Sequence, residues 1–302
     1  MTPAAQVSAV VTSYGDPALV HRCLAALVDQ SPCEIIVADG AAQDPSAWMA
    51  REFPGVTVLH LPGRSVPELR WAGAREARGS IIAATESWMQ PAPGWCAALA
   101  GAHALWPDAP VIGGDVALEP GATPLGAGFY LCEYAAFAPP AAPGTVRALS
   151  SANLSYKRDA LLAERDVLDA GVWEIVLHER WQQEGRPLRM LPATVVFRNG
   201  LSARGALSMR FRHARAYAAG RFVPSVRIRR ALFAAGCPLL PVVLTWRVVR
   251  DAAAHGRVAA LCQSFGWILL LNASWALGEC VGYICGPPPP TLHRSRVSPL
   301  AR

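Results

Sequence analysis

Four short runs rich in β-branched residues, at residues 7–12 (VSAVVT), 34–38 (EIIVA), 56–61 (VTVLHL) and 81–84 (IIAA), recur through the first third of the chain. Each reads as a buried strand closed by turn chemistry such as SYGDP or Pro62-Gly63. Between them the apolar spacing changes. Leu19, Cys23, Leu24, Leu27 and Val28 share one helical stripe, and residues 66–77 and 93–105 read as two further helices. Strands that alternate with helices bury both sheet faces only as a mostly parallel, covered sheet, so the fold class is expected to be α/β. Ligands of such sheets sit beyond the carboxyl ends of the strands. That geometry singles out residues 12–16, 39–44 and 85–88 as rim segments.

Past residue 105 the pattern loosens. Residues 111–116 read as a strand, 135–144 as an Ala/Pro lid or acceptor loop, 150–156 as a strand edge, 172–184 as a helix and 193–198 as a late strand.

Charge divides the chain. Residues 1–200 carry 14 Lys+Arg against 20 Asp+Glu, a net of −6, and residues 201–302 carry 14 against 2, a net of +12. The basic part is also the apolar part, which favours an anionic membrane surface over nucleic acid. Nucleic-acid binding would interleave arginines with exposed aromatics on a folded platform, whereas these arginines flank long uncharged runs. Residues 204–222 repeat Leu207, Phe211, Ala214, Ala218 and Phe222 at helical spacing with Arg210, Arg212, Arg215 and Arg221 between them, a basic amphipathic helix. A surface helix packed on the core is the plainer alternative. Two uncharged stretches follow, 231–246 and 258–278, the second long enough to span a bilayer. Positive charge flanks every end: Arg227, Arg229 and Arg230, then Arg247, Arg250 and Arg257, then Arg294 and Arg296. Two crossings would put the middle group outside, so a hairpin in the cytoplasmic leaflet is favoured.

Domain organisation follows: residues 1–200 a catalytic domain, 201–225 the basic helix, and 226–302 membrane-docking helices with a Pro-rich basic tail. Residues 1–6 lack a charged start, so no signal peptide is expected and the catalytic domain is assigned to the cytoplasmic face. Eight scattered cysteines without CxxC or zinc-like spacing read as reduced, buried apolar residues.

Five segments in order carry a resemblance: VSAVVTSYGDPALVHRCLAAL, EIIVADGAAQD, RSVPELRWAGAREARGSIIAATESWMQPAPGW, SSANLSYKRDAL and WEIVLHERWQQEGRPL. Together they are similar to family 2 of the inverting glycosyltransferases, on the GT-A fold, over about residues 7–222. The resemblance implies a nucleotide-diphosphate sugar donor, a glycan, lipid-linked or small-molecule acceptor, and action at the membrane; it implies no nucleic-acid partner.

It also implies roles. Asp39, after the second strand, would accept hydrogen bonds from the base and ribose, with Thr12 and Tyr14 beside the nucleotide and Arg70 reaching a phosphate. Glu86 stands at the first place of the family's acidic triplet, which holds Mg2+ or Mn2+, but Ser87 and Trp88 fill the other two places and an indole cannot ligate a hard cation. Either Glu86 holds the ion alone, or Arg70 and its neighbours neutralise the diphosphate, or catalysis has been lost. Glu174 falls at the catalytic base, with His178 one turn on, and Trp173 and Asn153 belong to the acceptor side. Plainer readings exist for each: a turn Asp, a solvated Arg, a helix-start Glu, a satisfied buried His.

Other enzyme classes fare worse. TSYGDP has a single glycine where a dinucleotide-binding turn needs several. A sugar nucleotidyltransferase calls for a Gly-rich basic loop early in the chain, and the chain's one lysine is Lys157. A non-catalytic relative serving as a membrane binding or scaffold subunit is the alternative to a working transferase.

Overall fold

Seven successive buried residues, Val7–Ser13, form β1, and a strand hidden on both alternating faces belongs inside a covered sheet. The chain then runs α1 (Pro17–Val28), β2 (Glu34–Asp39), α2 (Ser46–Glu52), β3 (Val56–His60), α3 (Val66–Glu76), β4 (Ile81–Glu86), β5 (Met89–Pro91), α4 (Trp95–Leu105) and β6 (Val111–Gly113). It continues through β7 (Val116–Leu118), α5 (Pro124–Tyr134), β8 (Gly144–Val146), β9 (Asn153–Lys157), α6 (Arg158–Leu162), α7 (Arg165–Ala170), α8 (Glu174–Gln183), β10 (Leu188–Met190) and β11 (Val195–Phe197). The last third is helical: α9 (Ala203–Gly220), α10 (Arg227–Gly236), α11 (Leu240–Ala254) and α12 (Val258–Cys285). This computed structural model describes residues 6–220 and 227–286. Arg221, Phe222, Arg294, Arg296 and the Pro-rich tail lie outside the described residues.

Two units divide the chain. Among the described residues the first comprises 6–115 and 141–195, and the second comprises 116–140, 196–220 and 227–286. In the first, eight strands stand in the order β3-β2-β1-β4-β9-β6-β10-β8. β1 pairs parallel with β2 and β4, β2 with β3, and β6 with β10; β9 lies antiparallel between β4 and β6. The fold is therefore the mostly parallel α/β sheet that the alternation predicts. In register, Ser13 faces Asp39 and Thr12 faces Glu86, so three carboxyl ends meet at one rim. Because β9 is antiparallel to both neighbours, β6 ends at that same rim.

Two strand expectations need correction. Residues 111–116 are not one strand: β6 stops at Gly113, and a Cβ on Gly114 would lie 1.9 Å from Ala193 O and 2.5 Å from Asn153 Nδ2. Residues 150–156 do not form a sheet edge, since β9 sits mid-sheet and is buried from Asn153 to Tyr156.

Local chemistry sets the helices around the rim. Asp16 caps α1 by accepting from Ala18 N and Leu19 N at 3.1 and 3.2 Å, with Pro17 opening the first turn. α3 begins with a capping box, Ser65 and Glu68 bonding each other's ends. It then sits hard on the sheet, for a Cβ on Gly73 would meet Val10 Cγ1 at 2.5 Å. That glycine lets the helix approach β1 closely, and one turn earlier the same helix carries Arg70.

The second unit is mainly helical. α12 packs along α9, where Gly278 and Gly282 approach the backbone of Phe211 and Arg215 so closely that an added Cβ would lie 2.2 and 2.5 Å from their carbonyl oxygens. Ala214 and Ala218 supply the opposite small surface, a small-xxx-small contact on both helices. The buried line of α9 thus includes Ala206, Arg210, Ala214 and Ala218. Arg210 is enclosed by Glu133, by Asn272 Oδ1 at 3.2 Å and by the Trp275 ring at 4.3 Å. α12 keeps its polar groups inside, with Asn272 and Glu279 buried, while Phe265, Leu269, Leu270 and Leu277 are exposed. Residues 229–254 and 258–285 are long and apolar enough to cross a membrane, by length and composition. The first of these is broken by a 3-10 turn at Cys237–Leu239, where Pro238 and Pro241 interrupt the helix. All eight cysteines are free thiols, but Cys33, Cys262 and Cys285 are exposed rather than buried.

Candidate active site

One face of α3 carries the segment that presents Glu174. Trp71 Nε1 donates to Val172 O at 2.8 Å, Arg75 Nη2 reaches Asp169 at 2.5 Å, and Gly171, at φ +61°, lets Glu68 pack against it. The positive φ and the 2.8 Å that a Cβ would leave to Glu68 both require glycine there. Glu174 then opens α8 as its first residue.

Between these supports lies a buried ion triad. Arg70 Nη1 donates to Glu174 Oε2 at 2.5 Å and Nη2 donates to Glu86 Oε1 at 3.1 Å. Arg70 is 1% exposed, Glu86 4% and Glu174 5%. Burial works against the guanidinium charge, but Glu174 and then Glu86 outweigh it, and the Arg70 pKa is raised. The guanidinium is thus a fixed positive charge between two carboxylates, and its fork geometry specifies where both lie.

Asp39 sits at the end of β2, fully buried. Its Oδ1 accepts from Ala41 N at 2.9 Å and lies 3.7 Å from His60 Nδ1, while Oδ2 is buried without a hydrogen-bond partner. Burial raises its pKa, opposed by Ser13, the Ala41 amide and His60. Tyr14 donates its hydroxyl to Arg64 O at 2.8 Å, and its ring lies on Gly40, where a Cβ would come within 2.7 Å. Thr12 turns into the sheet, its Oγ1 3.4 Å from Thr85 O.

The remaining expected residues divide. His178 is buried, and its Nε2 shares a 3.1 Å hydrogen bond with the Tyr156 hydroxyl. Burial, reinforced by the Arg70 charge and opposed by Glu174, lowers its pKa to about 4, so it is neutral at pH 7. Burial, with Glu174 adding to it, raises the Tyr156 pKa well above its usual value. Trp173 is half-buried at the N-cap of α8. Asn153 is fully buried and its amide is used within the protein: Oδ1 accepts from Trp95 Nε1 at 2.8 Å, and Nδ2 donates to Asp115 O and Ala193 O at 2.8 and 2.7 Å. That arrangement ties β9 to two loops and engages both amide hydrogens within the protein.

Sequence reasoning passed over three residues. His60 flanks Asp39, Tyr156 bonds His178, and Asp115 is 1% exposed with Oδ2 accepting from Ala141 N at 3.2 Å and Oδ1 unpartnered. Only Asp115 had a local signal, following Gly113-Gly114 after a strand run.

A divalent cation does not fit the residues present. Glu86 is the triplet's single carboxylate and Arg70 holds it, while Ser87 and Trp88 follow. Among the described residues no group of three or more His, Cys, Asp or Glu side chains gathers to hold a metal.

Residues 8–114 match the model of glycosyl transferase family 2. Among solved structures the chain resembles the mannosyltransferase PcManGT of Pyrobaculum calidifontis in complex with GDP-Man and Mn2+, at TM-score 0.54 and 17% identity, over 92% of this chain and 87% of that one. It also resembles GalNAc-T7 with UDP, GalNAc and Mn2+, at TM-score 0.49 and 13% identity, over 65% of this chain and 44% of that one. No curated protein sequence matches. Residues 8–114 are thus similar to glycosyl transferase family 2, within a sheet whose fold is shared with a solved mannosyltransferase.

Proposed function

We propose that the chain is an inverting glycosyltransferase that moves a sugar from a nucleotide-diphosphate donor to a hydroxyl of a glycan, lipid-linked or small-molecule acceptor at the cytoplasmic membrane face. The observation that carries this reading is the buried Glu86–Arg70–Glu174 triad at the carboxyl end of the parallel strands, where such sheets bind ligands. Asp39 takes the base and ribose, with Thr12 and Tyr14 beside it. Glu174 removes the proton from the acceptor hydroxyl as its oxygen attacks the anomeric carbon. The bond from that carbon to the phosphate oxygen breaks on the opposite face, and the nucleoside diphosphate leaves with the electron pair. His178, one turn on from Glu174, orients that carboxylate or the acceptor, and Trp173 belongs to the acceptor side.

Membrane action is supported by the outward apolar face of α12 against its inward Asn272 and Glu279, the reverse of a helix that faces water. The arginines on either side of the two apolar stretches suit anionic headgroups.

The test uses the full chain in detergent or lipid with a panel of UDP-, GDP- and dTDP-sugars and acceptors, the product's anomeric configuration being read by proton NMR. Turnover of one donor with inversion is expected; a retained configuration would reject the single displacement. A second reading, a non-catalytic binding subunit, is favoured by one observation, the engagement of Glu174 by Arg70. Donor binding without transfer or hydrolysis would select it.

A further inference from the structure

Three buried carboxylates, Asp39, Glu86 and Glu174, belong to the candidate site, and the cation joining the last two is a guanidinium. Its geometry is that of a bridging ion. Nη1 and Nη2 each take one carboxylate, from β4 and from α8, and a planar fork holds both with less freedom than a flexible ammonium. One guanidinium between two carboxylates leaves the triad a net charge of −1, and Trp88 stands where the acidic triplet has its last carboxylate, the place that would grip a hard cation. A third donor also remains: Arg70 Nε is buried and has no acceptor within the protein, and guanidinium N–H groups are well suited to phosphate oxygens.

We propose that Arg70 is the resident cation of this site in place of a divalent ion, and that a nucleoside diphosphate is bound here through the unpartnered Nε–H of Arg70 without added metal. The proposal rests on the transferase reading above and deepens it. Removing Arg70 should then expose Glu86 and Glu174 as ligands and create a metal site that the natural chain lacks.

The experiment uses the full chain in detergent. UDP and GDP are titrated calorimetrically in EDTA and again in Mn2+, and Mn2+ binding is followed by electron paramagnetic resonance in the natural chain and in Arg70→Met. Expected are nucleotide affinities that agree within about twofold with and without Mn2+, no Mn2+ bound by the natural chain, and Mn2+ bound by Arg70→Met. Nucleotide binding that strengthens about tenfold or more with Mn2+, or Mn2+ bound by the natural chain alone, overturns the proposal and leaves the transferase reading standing. Failure of nucleotides and nucleotide sugars to bind with or without metal overturns both. Should Arg70→Met fail to fold, Arg70→Lys replaces it, and the measurements on the natural chain decide by themselves.

Discussion

Arg70 and Glu174 stand 104 residues apart in the chain, yet Nη1 of the one lies 2.5 Å from Oε2 of the other. Two elements made for other reasons produce that contact: α3, seated on β1 through Gly73, and α8, whose approach segment hangs on Trp71 and Glu68. The pair is both a structural pin and the chemical centre of the proposed site, and those two roles separate under substitution.

Glu174→Gln keeps the side chain's shape and an acceptor oxygen for Arg70 but removes the basic group. Transfer should fall by about 10²- to 10⁴-fold while nucleotide binding persists. Single-turnover rates set beside calorimetric nucleotide titrations check this, and an unchanged rate would show that Glu174 is not the base.

Asp39→Asn probes the nucleotide side. Loss of a charged acceptor at a buried site should weaken UDP or GDP binding by about 1.5–3 kcal/mol, roughly ten- to a hundredfold. Equal affinities in the two proteins would return Asp39 to a turn-forming role, holding Ala41 N and nothing more.

Asn153→Ala separates structure from acceptor recognition. It strands Trp95 Nε1 and the Ala193 carbonyl in the interior, while the Asp115 carbonyl keeps Val195 N at 3.1 Å, and stability should drop by about 3 kcal/mol, since each buried unsatisfied group costs about 1–3 kcal/mol. Chemical denaturation gives the number. A normal denaturation midpoint with a raised acceptor KM would reverse the assignment.

Gly278→Leu tests the close contact of α9 with α12. The new side chain must enter a space where even a Cβ would lie 2.2 Å from Phe211 O, so the helices have to separate. Overpacking of this kind costs about 1–3 kcal/mol or more. Faster proteolysis within the helical unit is expected, and Leu277→Phe, on an exposed position of the same helix, serves as the tolerated control.

Acid should destabilise the sheet unit through its buried histidines. Burial lowers the pKa of His178 and of His103 to about 4, in each case with a nearby positive charge, Arg70 or Lys157, adding to it. The unfolded chain takes up these protons near pH 6.5 and the folded chain only near 4, so stability is complete above the higher value and falls between the two. Asp39, whose pKa is raised by burial, acts with the opposite sign and moderates the loss. Denaturation midpoints from pH 7.5 to 4.5 should decline, and His178→Gln should flatten the decline. An unaltered pH profile in that variant would show that His178 is not protonated on unfolding in this range.

What the sequence determined by itself was periodic and local. Runs such as VSAVVT and EIIVA dictate buried strands, their alternation with helices dictates a parallel sheet, and strand-end position then draws attention to Thr12, Asp39 and Glu86. Arg210 shows the limit of that reasoning: its charge suggested a solvated or lipid-facing position, while Glu133 and Asn272, from distant segments, enclose it. The resemblance puts Asn153 on the acceptor side, and three partners from other parts of the unit use its amide. His60, Tyr156 and Asp115 gain meaning only from neighbours that no window of sequence contains. Tertiary structure alone decided which charges meet, because spacing along a strand or helix orients a side chain to a face, whereas pairing across 104 residues depends on how closely helices and sheet can pack.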